Sequence, residues 1–204
     1  MPAGKNLIVG LTGGMGCGKS TVAAMLAEHG FQRLDSDEYI RAVLHQEPAV
    51  VAALRGKFGD RVLTPQGGVD RAKVAEIVFA DDEALAWLEN LLHPRLLAHW
   101  QRLFAGGQGG GAWVVEVPLL FEKNLENWFD FTVCVSTDSA QQLRRLEQRG
   151  IPPDLARRRL AKQLPLARKC ELADFVLLND GTLDFLREQA VELASRLLAP
   201  NPAT

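Results

Sequence analysis

Gly13-Gly14-Met15-Gly16-Cys17-Gly18-Lys19-Ser20, followed by Thr21, fits the spacing G-x-x-x-x-G-K-[ST]. A glycine-rich turn of this kind presents backbone N–H groups to phosphate oxygens, and its lysine adds a mobile positive charge. The flanks supply the required context. Leu7-Ile8-Val9-Gly10-Leu11 upstream is a short apolar strand, and Val22, Ala23, Leu26 and Ala27 downstream recur at helical spacing until Gly30. Strand, loop and helix place the phosphates on a helix N-terminus, where unpaired donors and the positive end of the dipole meet. An ordinary Gly-rich turn would not need four glycines, Lys and Ser in this register, so the stretch reads as a nucleotide-phosphate cradle.

Composition bounds the rest. The 204 residues suffice for one buried α/β core with an insertion, and 24% charged with 47% hydrophobic residues is ordinary for a soluble globular protein. A net charge of -2 gives no reason to invoke nucleic acid or a membrane as partner. Cys17, Cys134 and Cys170 lack metal-ligand spacing, and no disulfide framework is implied. Met1 to Lys5 leads straight into the first strand and no apolar run reaches membrane-span length, so a reduced, cytoplasmic setting is expected.

Phe31 to Asp35 is a second short strand that delivers Asp35-Ser36-Asp37 at its C-terminal end, where ligands of parallel α/β sheets bind. One of Ser36 and Asp37 is expected to cap a helix starting at Glu38; one cap does not account for both carboxylates. From Glu38 to Phe104 the pattern is helical, broken by the polar stretch Gly59 to Val69. That is about 65 residues between two strands, too long for a simple crossover, and it reads as an inserted helical subdomain. Pro94 is expected to kink the helix or start a new one after His93. His93 is a packed or capping histidine, or a substrate contact. Arg71 is a solvated helix charge unless the substrate bears phosphate.

Gly106 to Gly111 reads as a flexible connector, and Trp113-Val114-Val115-Glu116-Val117 returns the chain to the sheet. Glu116, the strand's only charge, is either paired with a nearby arginine or lysine or a candidate for Mg²⁺ through water. Pro118-Leu119-Leu120-Phe121 turns over the sheet's edge toward the ligand side. Phe129 to Val135 is a further strand, and a helix from Ser139 to Gln148 follows. A second helix opens at Pro152-Pro153-Asp154 and runs to about Leu164. Arg144, Arg145, Arg149, Arg157, Arg158, Arg159, Lys162, Arg168 and Lys169 crowd this hairpin. Each alone reads as a solvated charge, but together they suit a lid closing over phosphates. Asp174 to Leu178 is a last strand, Asn179-Asp180-Gly181 a turn, and a helix from about Thr182 to Leu198 covers the sheet. The tail from Ala199 is expected to be disordered.

Strands at about 6–12, 31–35, 112–117, 130–136 and 174–178 separated by helices describe a doubly wound, five-stranded, mainly parallel α/β sheet of the P-loop kinase kind. Three parts are expected: a nucleotide-binding core (1–37, 106–137, 171–204), a helical substrate subdomain (38–105) and a lid (138–170).

Nearly the whole chain resembles the dephospho-CoA kinase family. The resemblance rests on the order of Leu11 to Thr21, Asp35-Ser36-Asp37, Asp70-Arg71 with Val78-Phe79, Leu92-His93-Pro94, and Pro118 to Glu122. It continues through Gln142-Leu143, Arg145-Leu146, Arg149, Arg159 to Gln163, Ala173-Asp174 and Asn179-Asp180-Gly181. It implies ATP-dependent phosphorylation of the ribose 3′-hydroxyl of dephospho-CoA, with ATP and Mg²⁺ required. ATP would be held by Gly14, Met15, Gly16, Cys17, Gly18, Lys19, Ser20 and Thr21, with Asn179 and Gly181 beside adenine and Ser20 on Mg²⁺. Asp35 would accept the hydroxyl proton, and Asp37 or Glu116 would orient water on the metal. Arg149 and Arg159 would stabilise the transferred group. Arg71, His93 and Pro118, Leu119, Leu120 and Phe121 would hold dephospho-CoA, with Asp37 at the same substrate side. A monomer or weak homo-oligomer is expected. Another small-molecule kinase, for a nucleoside monophosphate or a shikimate-like acceptor, stays open, as does a non-catalytic nucleotide binder. A GTPase switch does not, since its D-x-x-G and N-K-x-D elements are missing. Cys17 beside phosphates is either a thiol of lowered pKa or a passive small residue.

Overall fold

A computed structural model describes residues 6–42, 46–105 and 111–199. Of the glycine connector expected at Gly106 to Gly111 and the tail expected from Ala199, residues 106–110 and 200–204 lie outside the described residues. The chain divides into two compact units, Met1–Asp35 with Gly107–Thr204, and Ser36–Gly106.

In the first unit, β1 (Leu7–Gly13) leads through the cradle into α1 (Lys19–Ala27) and β2 (Phe31–Asp35). β3 (Ala112–Glu116) and β4 (Phe131–Ser136) complete the middle of the sheet, and β5 (Phe175–Leu178) its edge. The order is β2-β3-β1-β4-β5, with every pairing parallel. Crossing from β1 to β2 on one side and to β4 on the other leaves a topological switch at the C-terminal end of β1, which is where the cradle lies. Alternation assigns the two faces of β1. Leu7, Val9 and Leu11 enter a core with Val22, Leu26, Val114, Val133 and Val135. Leu186, Ala190, Leu193 and Leu197 of the last helix (Leu183–Leu198, α9 below) join the same core. On the opposite face, a Cβ at Gly10 would lie 2.6 Å from the Phe129 ring and 2.7 Å from Leu120, so only glycine admits both side chains there.

The second unit holds α2 (Ser36–Ala42), α3 (Pro48–Phe58), α4 (Arg71–Ala80) and α5 (Asp82–Ala105). Val50, Leu54, Phe58, Val74, Val78, Ala84 and Leu92 form its own core, and the Tyr39 and His99 rings stack at 3.7 Å. Asp70 caps α4 by accepting the Lys73 N–H. One sequence expectation fails here and one is narrowed. α2 begins at Ser36, directly after β2, so Ser36 is no cap; its Oγ is buried with no hydrogen-bond partner among the described residues. Pro94 starts no new helix: α5 runs through it, because Leu92, Leu96 and Trp100 are buried on both sides of the lost N–H and outweigh the missing bond.

The first unit closes with α6 (Ser139–Gln148), α7 (Pro153–Ala161), α8 (Leu166–Leu172) and α9 (Leu183–Leu198). The helix expected to reach Leu164 stops at Ala161, and the residues after Pro165 form a separate helix packed on β4 and β1.

Candidate active site

The cradle is shaped by close approach and gripped by side chains. Gly13 ends β1 at φ 141, and a Cβ there would lie 2.4 Å from the Val135 carbonyl oxygen. Gly18 has φ 98, and a Cβ would meet Asn179 Nδ2 at 2.3 Å. Both positions require glycine on two counts, conformation and space. Asn179 Nδ2 donates to the Cys17 carbonyl at 2.7 Å. Gln142 Nε2 donates to the Met15 carbonyl at 3.1 Å and lies 3.2 Å from the Cys17 sulfur. Gln163 Oε1 accepts the Met15 N–H at 3.3 Å. Arg145 reaches the Gly16 and Cys17 carbonyls with Nη1 and the Asn179 carbonyl, at 3.0 Å, with Nη2. The loop's carbonyls are thus drawn toward α6 and the β5 turn. α1 opens at Gly18 with no side-chain cap, so no side chain closes the helix end that a phosphate would meet. Lys19 Nζ arches back to the Gly13 and Gly14 carbonyls, 3.0 Å each, while Ser20 is exposed and Thr21 half-buried.

Cys17 lies at the floor of this loop with no exposed surface. Burial pushes its thiol up and outweighs the pull of Lys19 and Arg145. The alternative of a thiol of lowered pKa is therefore corrected: Cys17 is a buried thiol held above its ordinary range.

The acidic residues stand at neighbouring strand ends. Asp35 and Glu116 are register partners at the last positions of β2 and β3, and Glu116 also pairs with Leu11 of β1. Arg33 of β2 places Nε and Nη2 each 2.7 Å from Glu116 Oε1, the pairing with an arginine that the sequence left as one of two readings. Its Nη2 is 4.0 Å from Asp35 Oδ2. Glu116 is 5% exposed; burial raises its carboxyl, Arg33 opposes this, Asp35 raises it further and Lys19 lowers it. A guanidinium thus neutralises the buried carboxylate and leaves Asp35, two residues along the strand from Arg33, at the rim.

The turn after β5 is braced against α6. Asn179 is buried, its carbonyl accepts from Thr137 Oγ1 at 3.0 Å, and Gln141 Nε2 donates to the Asp180 carbonyl. Gly181 is exposed beside Phe185. Arg149 ends α6 and Arg159 lies on α7, both exposed. Arg157 pairs with Asp154 at 3.0 Å, and Arg168 with Glu171 at 2.6 Å. Lys169 departs from the expectation of a phosphate-facing hairpin: it is completely buried, because an acceptor pair in the turn after β3 draws it inward. In that turn, Pro118, Leu119 and Phe121 are half-buried, whereas Leu120 is fully buried over Gly10 and serves as its anchor. In the second unit, Asp37 is exposed in the first turn of α2, Arg71 is the exposed first residue of α4, and His93 is half-buried within α5.

Among the described residues no group of three or more His, Cys, Asp or Glu could hold a metal ion. The fit of a Mg²⁺–nucleotide rests instead on the uncapped helix start, the exposed Ser20 hydroxyl and the lysine over the loop. No helix among the described residues is long and apolar enough to cross a membrane.

The family model described as dephospho-CoA kinase (CoaE) matches residues 7–184. A dephospho-CoA kinase of Corynebacterium glutamicum is 39% identical over 196 residues, covering 95% of this chain and 98% of that protein. The Thermobifida fusca relative of the same description is 39% identical over 192 residues, covering 94% and 96%. Among solved structures, TT1252 from Thermus thermophilus superposes with a TM-score of 0.76 at 30% identity, covering 96% of this chain and all of that one. Shikimate kinase from Acinetobacter baumannii, at a TM-score of 0.52 and 18% identity over 97% and 96% of the two chains, shares the fold alone. The family match spans the cradle, both acidic strand ends and the arginine-bearing helices, and the chain belongs to the dephospho-CoA kinase family.

Proposed function

We propose that the protein transfers the γ-phosphoryl group of ATP to the ribose 3′-hydroxyl of dephospho-CoA, giving coenzyme A and ADP. The observation that carries this reading is the cradle ending β1 with Asp35 on the rim two strands away, in a chain whose family model runs through both. Phosphoryl transfer asks little covalent chemistry of a protein; it asks for two oxygens held in line and for charge stabilised as it spreads. Lys19 and the loop amides hold the β- and γ-phosphates. Asp35 accepts the proton of the attacking hydroxyl. Arg149 and Arg159, exposed on α6 and α7, swing to the transferred group, and residues 138–170 act as the lid. Asn179 and Gly181 flank adenine. Ser20, with Glu116 through water, would hold Mg²⁺, which neutralises charge on the phosphates as the bond to the β-phosphate breaks. Commitment of Glu116 Oε1 to Arg33 favours that indirect part over direct ligation.

Dephospho-CoA is bound by the Pro118–Phe121 turn, and Asp37, Arg71 and His93 of the helical unit serve the same substrate. Arg71 opens α4 with an exposed guanidinium, suited to a diphosphate. The three unbridged cysteines support a reduced, cytoplasmic setting, and the enzyme acts as a monomer or weak homo-oligomer. The test is ADP release with dephospho-CoA, a nucleoside monophosphate and shikimate offered separately. Saturable ADP formation with dephospho-CoA alone is expected. Faster turnover of another acceptor, or slow ATP hydrolysis indifferent to all three, would overturn the reading.

A further inference from the structure

Lys169 has no exposed surface, a rare state for lysine and a costly one unless the ammonium is paired. Its Nζ donates to the Pro118 carbonyl at 2.7 Å and lies 2.8 Å from Glu122 Oε1. Each acceptor is shared. Pro118 O also receives Thr12 Oγ1 at 3.3 Å, from the β1 residue before the cradle. Glu122 Oε1 also receives the Leu164 N–H at 2.9 Å, from the link between α7 and α8. Among the described residues Glu122 Oε2 is buried without a hydrogen-bond partner, so the carboxylate is anchored through one oxygen. The turn between Pro118 and Glu122 closes on itself through Lys123 N–H to Leu119 O and Leu125 N–H to Leu120 O. Asn124 completes it at φ 51. Leu120 seats the turn on Gly10. An apolar side chain of the same length would fill this space at lower desolvation cost, so packing alone does not account for a lysine.

We propose that Lys169 is a positioning residue for acceptor binding: its buried ammonium fixes the Pro118–Phe121 turn and, through Glu122, ties it to the link that follows the Arg159 helix. The inference rests on the reading in which this turn binds dephospho-CoA. It separates two substrates. Among the described residues the cradle's grips Gln142, Arg145 and Asn179 share no hydrogen bond with Lys169, which reaches the cradle only indirectly, through Thr12 on the Pro118 carbonyl and through Leu164 beside Gln163, whereas the turn takes the ammonium directly at both of its ends.

The experiment is steady-state kinetics on Lys169→Met, Glu122→Gln and Phe121→Ala, with thermal melting of each. Lys169→Met is expected to raise the dephospho-CoA KM by ~10-fold or more and leave the ATP KM within ~2-fold, because a misplaced binding turn loses ground-state contacts first. Glu122→Gln keeps an acceptor for Leu164 and is expected to shift the same parameter by ~3-fold, giving a reading even if Lys169→Met does not fold. A fall in melting temperature with both KM values unchanged, or an equal loss for both substrates, would make Lys169 merely structural and overturn the proposal. Phe121→Ala distinguishes the two levels of failure. If it raises the dephospho-CoA KM while the other two variants do not, the positioning role fails and the turn's binding role stands. If it also leaves that KM unchanged, the reading of the turn fails and the inference with it.

Discussion

The phosphate cradle, with the α6 side chains that grip it, and the arm formed by the end of α6 and by α7 lie in the same unit but are held differently. The loop from Gly13 to Gly18 has carbonyls bound by Gln142, Arg145 and Asn179, glycines pressed against neighbouring atoms, and a buried floor at Cys17. Arg149, Arg158 and Arg159 are exposed, and Arg157 pairs with Asp154, three residues away on its own helix. The cradle is braced by the chain's own side chains, whereas the arginines proposed to meet the transferred group lie at the exposed surface. Such a division suits phosphoryl transfer, where preorganised phosphate binding costs no rearrangement but water must be shut out after both substrates enter.

Substitutions that separate cradle from arm put this contrast at risk. Lys19→Met is expected to lower kcat/KM for ATP by about 1,000-fold, the upper range for removing one preorganised charge donor, with stability little changed. Arg149→Ala and Arg159→Ala are each expected to lower kcat by about 100-fold while ATP affinity and melting temperature stay near wild type, since exposed side chains away from packing change stability little. Loss of ATP affinity in step with kcat would mean the arm also binds the ground state.

Gly18→Ala attacks the cradle itself. A Cβ at φ 98 and 2.3 Å from Asn179 is expected to destabilise the protein by about 2 kcal/mol, seen as a drop of several degrees in melting temperature together with weaker ATP binding.

Arg33→Met leaves Glu116 buried without its guanidinium. The folded-state carboxyl, already raised by burial, then rises further above its unfolded value, so the folded state holds the proton longer. Stability is expected to fall more steeply than in wild type as pH rises through the carboxylate range toward neutrality, read by melting temperature from pH 4 to pH 8. A flat difference would remove Arg33 as the neutralising partner. Smallest of all, Cys17→Ser is expected to leave kinetics near wild type, and native Cys17 to resist alkylation until unfolding, because burial keeps it a protonated thiol.

The architecture was legible wherever local pattern and tertiary packing agree. The strand–glycine loop–helix stretch and the near-continuous apolar strands defined a parallel sheet from composition and period alone. Pro94 left two outcomes open because a proline signal is local; the new helix start is excluded by α5, which runs through it with Leu92, Leu96 and Trp100 buried along its length. In the site, the residues that touch phosphate in the motif's logic were readable, and those that shape the loop were not. Gln142 and Asn179 are far along the chain from Met15 and Cys17, and neither has a spacing that marks it as a grip. Lys169 looked like one more basic residue on a charged hairpin because its acceptors, Pro118 and Glu122, belong to a distant turn. A nearby arginine or lysine was one of the two readings of Glu116, but which one could not be named until strand register set β2 beside β3 and Arg33 met Glu116.

The most direct measurement is single-turnover phosphoryl transfer to dephospho-CoA by wild type and Asp35→Asn, with ATP affinity measured on the same samples. A base at the rim of β2 predicts a transfer step slowed by about 100- to 10,000-fold with ATP affinity essentially retained. An unchanged transfer rate in Asp35→Asn would contradict it.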